Sequence, residues 1–307
     1  MKKIITFLTL LAFLIIPISS FAGAPVKVAS KNFTEQLVLG QIMLQLLKSK
    51  GIPVVDKTNL GGTNVNREAL KQGQIDVYME YTGTAWLTFF KKEEVVRDPM
   101  ALFEKIKAFD KKNNDLVWLD PCKFNNTYAI VMKDKTADKL GINSLSDWAA
   151  YIKKNPGKMT VSVNSEFYSR ADGFKGMMGH YGLAFGKDIP DSSVKKMQTA
   201  LTKKAVRDGQ VLCAMAFATD SAIIDYGLKV LADDKNYFPI YNPAPVIRAS
   251  VIKDNPKIKF ILSEIGSSLD TKTMQRLNFR VNANKEKPSA VAKSWLEGVG
   301  LIMKTRK

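Results

Sequence analysis

The chain has 307 residues, 46% of them hydrophobic, enough for one large or two modest globular domains; 12 Pro and 19 Gly are ordinary counts that exclude fibrous and disordered classes. A single histidine (His180) and two cysteines (Cys122, Cys213) exclude multi-histidine metal sites and a disulfide-dense scaffold. The formal charge of +17, from 46 Lys and Arg against 29 Asp and Glu, invites a nucleic-acid or membrane-surface partner.

Met1-Lys2-Lys3, the apolar run Ile4 to Ile18 and small residues at Ser20, Ala22 and Ala24 read as an export signal over 1–24. The mature chain is then expected to begin near Gly23 or Pro25, in the periplasm. The apolar run is short for a membrane span, no cysteine marks a lipid anchor, and no later stretch approaches span length. Export argues against nucleic acid, and so does the scatter of lysines from Lys48 to Lys304, which reads as solvated surface.

Beyond the signal, short β-branched runs alternate with helical patterns. Val26–Ala29 reads as a strand, Thr34 to Gly51 as an amphipathic helix, Pro53–Val55 as a strand, Asn64–Gln72 as a helix and Ile75–Tyr78 as a strand. Further on, the pattern predicts a strand over Met159–Val163, helices over Arg170–Tyr181 and Leu201–Asp208, and a strand over Val211–Met215. Pro288 to Met303 reads as a last helix with Ala290, Val291, Trp295 and Leu296 inward. This alternation implies an α/β fold with helices on both faces of the sheet.

Residues 69–84 (ALKQGQIDVYMEYTGT) echo residues 205–220 (AVRDGQVLCAMAFATD), with Gly73 set against Gly209 and Tyr81 against Phe217. A weaker echo pairs VASKNF at 28–33 with VNSEFY at 163–168. Chance likeness of two helix–Gly–strand units is one reading. The other is two related lobes, each presenting an aromatic at the C-terminal edge of its sheet, where open α/β sheets bind ligands.

Catalytic signals are sparse. His180 sits near a predicted helix end, and Cys213 lies in an apolar strand and reads as a small core hydrophobe. An exported enzyme working through Cys213 and His180 remains an alternative. Cys122 and Cys213 are candidates for a disulfide in an oxidising compartment, their separation being open. Gly61-Gly62-Thr63 lacks the ending of a phosphate loop and reads as a tight turn. Binding signals are richer. Tyr81, Tyr128, Phe217 and Tyr241 fall at strand ends and in loops. Aromatic faces converging on one point suit a weakly hydrated cation at about 0.5–2 kcal/mol each, enough for micromolar binding. Aromatics sealing a domain interface would show the same spacing.

SKNFTEQLVLGQI at 30–42, NLGGTNVNREALKQGQIDVYMEYTGT at 59–84, EFYSRADGFKG at 166–176 and LADDKNYFPIYNPAPVIR at 231–248 together resemble one family. It is the substrate-binding component of osmoprotectant (glycine betaine, carnitine, choline) ABC transporters, and the likeness runs from about Lys27 to the C-terminal helix. The resemblance implies a type II periplasmic-binding-protein fold, two α/β lobes with a central ligand cleft and two crossovers. Lobe one is expected over 25–125 and 239–307, and lobe two over 126–238. By the same resemblance Tyr81, Tyr128 and Tyr241 match cage positions around a quaternary ammonium. Phe217 matches a fourth, where relatives carry Tyr, and Asn126 stands where an Asp lines the cage. Lys31, Thr84 and Arg170 match positions that grip a betaine carboxylate. Choline, lacking a carboxylate, would leave Lys31 and Arg170 as unpaired buried cations, so a zwitterion such as glycine betaine, proline betaine or carnitine is preferred. A trimethylated histidine derivative of the ergothioneine type or an amino acid are alternative ligands. The expected partners are that small zwitterion and an inner-membrane ABC permease; the expected chain is a monomer without catalytic residues, metal or cofactor.

Overall fold

The computed structural model describes residues 24–94 and 96–304, so the expected export signal lies outside the described residues apart from its last position. Ten strands follow in chain order: β1 (Val26–Lys31), β2 (Val54–Gly61), β3 (Val77–Tyr81), β4 (Leu116–Trp118), β5 (Tyr128–Lys133), β6 (Val161–Val163), β7 (Val194–Lys196), β8 (Cys213–Phe217), β9 (Leu228–Val230) and β10 (Pro243–Arg248). They form two five-stranded sheets, ordered β2-β1-β3-β10-β4 and β7-β6-β8-β5-β9. Each sheet has three parallel strands and then a fourth that runs antiparallel, β10 against β3 and β5 against β8. The chain leaves the first sheet between β4 and β5 and returns between β9 and β10, which makes the two crossovers.

The internal echo is structural. β3 and β8 occupy the same central place in their sheets, and each follows a helix ended by a left-handed glycine, Gly73 (φ +70°) and Gly209 (φ +72°). The closures match bond for bond. Gly73 N–H donates to Leu70 O and Gln74 N–H to Ala69 O; Gly209 N–H donates to Val206 O and Gln210 N–H to Ala205 O. A side chain at either glycine would be forced into the left-handed region, so the glycine is needed to reverse the chain from helix into buried strand.

Helix Thr34–Ser49 is built on the spacing seen in the sequence. Val38, Leu39, Ile42, Met43, Leu46 and Leu47 form one fully buried stripe and pack on helices Thr271–Asn282 and Pro288–Gly298. Each such side chain contributes about 1.5–3 kcal/mol by leaving water. Three expectations are corrected. Arg170 is not in a helix: it lies in extended backbone (φ −70°, ψ 146°) after the short helix Ser165–Ser169, and the next helix begins at Phe174. The last helix stops at Gly298, and Ala292 rather than Ala290 is buried on it. Strand β2 runs on to Gly61, well beyond Val55.

Cys122 and Cys213 are both buried and free, in separate cores under the first and second sheets. A disulfide between them is therefore absent. Behind the first sheet, the Arg67 guanidinium grips Asp110 in a fork, Nη1 to Oδ2 at 2.8 Å and Nη2 to Oδ1 at 2.6 Å, and Trp118 Nε1 donates to the same carboxylate at 2.7 Å. Asp110→Ala would leave a buried, uncompensated guanidinium. A loss of about 3–5 kcal/mol is expected, read as a lower midpoint in urea unfolding; an unchanged midpoint would contradict this account.

Candidate functional site

The edges where the two sheets give out carry the aromatic residues. Tyr81 ends β3, Phe217 ends β8, Tyr128 begins β5 directly opposite Phe217, and Tyr241 lies just before β10. The Tyr128 and Phe217 rings lie 5.1 Å apart between centroids, and Tyr241 meets Tyr128 edge-on at 6.0 Å. Phe167 stacks behind Tyr128 at 4.6 Å. After Tyr81 the chain turns through Thr82-Gly83-Thr84 into a π-helical turn, Ala85–Phe89. Gly83 has a packing role: a Cβ there would fall 2.7 Å from Ile240 O and from the Tyr241 ring.

One pocket of about 70 Å³ is lined by all eight residues singled out in the sequence: Lys31, Tyr81, Thr84, Asn126, Tyr128, Arg170, Phe217 and Tyr241. Phe33, Thr63 and Glu166 complete it. Phe33 and Glu166 lie inside the motifs SKNF and EFYSR, and Thr63 inside the turn Gly-Gly-Thr, but no local signal marked them as lining residues. The pocket opens beside a larger cleft of about 1140 Å³, whose walls share Phe33, Asn126, Glu166 and Phe217 with it.

Three carboxylates stand behind these side chains. Glu80, fully buried, accepts from Lys31 Nζ at 2.6 Å, the Tyr78 hydroxyl at 2.9 Å and the Tyr81 backbone N–H at 2.7 Å. Asp172 takes Arg170 in a fork, Nε to Oδ1 at 2.8 Å and Nη2 to Oδ2 at 2.7 Å, and accepts the Tyr241 hydroxyl at 3.0 Å. Glu35 accepts the Tyr81 hydroxyl at 2.8 Å and Asn126 Nδ2 at 2.7 Å on Oε1, and Asn278 Nδ2 at 3.1 Å on Oε2. Contrary to expectation, choline would not leave Lys31 and Arg170 unpaired: both cations already have carboxylate partners inside the protein. A preference for zwitterions must rest on the donors that remain, namely the other Lys31 and Arg170 protons and the Thr84 hydroxyl.

The environments shift these groups in different directions. Burial would push the Asp172 carboxyl up, but the Arg170 guanidinium and the Tyr241 hydroxyl hold it below its ordinary range. Arg170 is weakened as a cation by burial yet held more firmly protonated by Asp172. The Tyr81 and Tyr241 phenols are pushed well up, first by burial and then by the charges of Glu35 and Asp172 respectively. Glu35 is raised to about 6 by burial, which its hydrogen bonds only partly offset.

The catalytic alternative is not assembled. Cys213 is fully buried, its thiol is pushed up to about 12 by burial, and its sulfur contacts Met159 and Thr160. His180 lies exposed at the end of helix Phe174–His180, with ring contacts to Tyr181 and Tyr237 and Nε2 3.3 Å from Lys235 O.

The raised Glu35 sets a pH dependence of stability. An acid whose folded value lies above its ordinary 4.5 destabilises the fold progressively as pH rises from about 4.5 to about 6. Relative to Glu35→Gln, the wild-type unfolding free energy is expected to drop by about 2 kcal/mol across that window. Chemical denaturation of both proteins at a series of pH values measures the difference; a flat difference would contradict the buried, ionising Glu35.

Comparison with known proteins agrees with this architecture. A family model described as the substrate binding domain of ABC-type glycine betaine transport system matches residues 24–298. The glycine betaine-binding protein YehZ of Escherichia coli (strain K12) is 37% identical over 298 residues, 95% of this chain and 96% of that protein. The solved apo form of YehZ superposes with a TM-score of 0.73, at 36% identity, over 91% of this chain and 100% of that one. The glycine-betaine-binding protein of Pseudomonas aeruginosa is 36% identical over 275 residues, 88% of this chain and 86% of that protein. The ergothioneine transport permease/ergothioneine binding protein EgtU of Helicobacter pylori (strain G27) is 35% identical over 288 residues, 94% of this chain but half of that longer protein. The two-lobed fold, the paired crossovers and these likenesses over nearly the whole chain lead to one assignment: the protein belongs to the family of substrate-binding domains of ABC-type glycine betaine transport systems.

Proposed function

We propose that the protein is a periplasmic receptor that captures a quaternary-ammonium zwitterion of the glycine betaine type and delivers it to an inner-membrane ABC permease. It is exported by the leader over 1–24 and acts as a monomer without catalytic chemistry. One observation carries the reading: five aromatic rings line the same small pocket as Lys31, Thr84 and Arg170. Tyr81, Tyr128, Phe217 and Tyr241 offer π-faces to the trimethylammonium group, and Asn126 closes the same end. Thr84 and the unused protons of Lys31 and Arg170 take the carboxylate; the Arg170 fork spends three of its five N–H groups on Asp172 and Glu166 and keeps two. Phe217 keeps a π-face without a hydroxyl. Lobe one, 25–125 with 239–307, and lobe two, 126–238, close over the ligand and exclude water.

A bulkier betaine is the second reading. The similarity to EgtU favours it, as does the open cleft that shares a wall with the pocket.

Isothermal calorimetry on the mature protein tests both. Glycine betaine is expected to bind more tightly than choline, with Tyr241→Ala and Arg170→Ala each weakening it about tenfold or more. Gly83→Ala is expected to weaken it too, by displacing the Tyr241 ring, at a stability cost of about 1–3 kcal/mol. Unchanged betaine binding in both Tyr241→Ala and Arg170→Ala would overturn the site. Binding of choline alone would overturn the zwitterion, and tighter binding of a histidine betaine would select the second reading.

A further inference from the structure

Of the three carboxylates behind the pocket, Glu80 faces Lys31 and Asp172 faces Arg170. Glu35 is different. It is 3% exposed and, among the described residues, its hydrogen-bond partners are neutral: the Tyr81 and Thr219 hydroxyls and the amides of Asn126 and Asn278. It also stands where the two halves of the molecule meet. Helix Thr34–Ser49 supplies the carboxylate, β3 the tyrosine, and helix Thr271–Asn282 the Asn278 amide, which also donates to Thr219 O at 3.0 Å beyond β8. The Thr219 hydroxyl in turn donates to Asn126 Oδ1 at 3.1 Å.

We propose that Glu35 is a proton-coupled positioning residue of the ligand pocket: through the Tyr81 hydroxyl and the Asn126 amide it strengthens the cation end, and capture of a cation drives a proton off it. This rests on the betaine reading of the pocket. A phenol that donates to an ionised carboxylate is richer in electron density on its ring, and the carboxylate's own charge lies behind that ring. A cation on the pocket side is therefore held more strongly when Glu35 is ionised. Linkage makes the coupling reciprocal: the bound cation favours ionised Glu35 by the same factor. The step is simple in its balance, since the Glu35 carboxyl O–H breaks, the carboxylate keeps the electron pair, and the proton passes to solvent through the cleft that Glu35 lines.

The groups facing Glu35 from each element leave it as the titrating member. Asp220 raises it, but that carboxylate is itself bridged to Lys203 at 3.0 Å. The Cys122 thiol is driven up, first by burial and then by Glu35, and the Tyr81 phenol is pushed well above its ordinary value by burial, so both stay protonated. Gln36, Asn126, Thr219 and Asn278 do not titrate. Glu35, raised to about 6, is part-protonated in mild acid.

The test is calorimetric titration with glycine betaine near pH 6 in two buffers of different ionisation enthalpy, with affinities also measured from about pH 5 to about pH 7.5. Wild type is expected to release roughly 0.2–0.4 proton on binding, and its affinity to rise about threefold to fivefold from the acid to the neutral end. Glu35→Gln is expected to release none and to show a flat profile. Tyr81→Phe keeps the ring but cuts its link to Glu35, so it should bind with a smaller release, and it decides the matter if Glu35→Gln does not fold. Betaine binding by wild type without proton release, or an unchanged profile in Glu35→Gln, overturns the inference alone. Failure of betaine to bind at any pH overturns the ligand reading and this inference with it.

Discussion

A buried cation or phenol needs an acceptor, and the pocket is organised around that need. Lys31, Tyr81 and Tyr241 are buried and Arg170 is partly buried, and each is met by a carboxylate at hydrogen-bonding distance. Leaving any of them unmet would cost about 1–3 kcal/mol, and more for the two cations. Glu80, Asp172 and Glu35 thus do two things at once. They make it tolerable to bury polar side chains, and they fix where those side chains stand. Rings that would otherwise swing about χ1 are tethered by their hydroxyls, and long cationic stems lose their freedom before any ligand arrives, which lowers the ordering cost of binding.

The repeated topology explains how such a site comes together from distant residues. Each sheet ends its central strand, β3 or β8, at the same edge, and each central strand is approached from the other side by an antiparallel neighbour. Tyr81 and Phe217 therefore occupy equivalent places, one per sheet, while Tyr128 and Tyr241 stand at the starts of the antiparallel neighbours, β5 and β10. Pocket geometry follows from the meeting of two like edges, and differences between the halves show up as chemistry. Where the first edge offers Tyr81 with a hydroxyl to anchor, the second offers Phe217, whose ring is placed by packing on Tyr128.

Much of this was legible in the residues. The α/β class followed from alternating periodicities, and the duplicated unit from glycines that only a left-handed helix end requires. The eight candidate residues came through motif resemblance, and the structure gathers them round one pocket. What local sequence could not show was tertiary pairing. Glu35, Glu80 and Asp172 sit inside or beside the quoted motifs, yet nothing local says that Glu80 reaches back to Lys31, 49 positions away. The same blindness produced the error at Arg170. Its flanks read as helical, but a Cβ at Gly173 would fall 2.0 Å from Phe167 O, so the chain there folds too tightly to continue a helix. The wrong alanine on the last helix is a register slip of two residues within a pattern that was otherwise right.

Pairing the charges inward also separates two kinds of electrostatics in one molecule. The surplus of lysines on the surface is felt through solvent and fades within about 10 Å at ordinary salt, and within about 3 Å near 1 M. The Lys31–Glu80 bridge lies at 2.6 Å with both side chains almost wholly out of water, beyond the reach of that screening. A pocket whose two cations are each paired with one of its own carboxylates needs no counter-ion to hold Lys31 and Arg170 in place. Its chemistry can stay constant in a concentrated brine that would erase every long-range attraction of the outer surface.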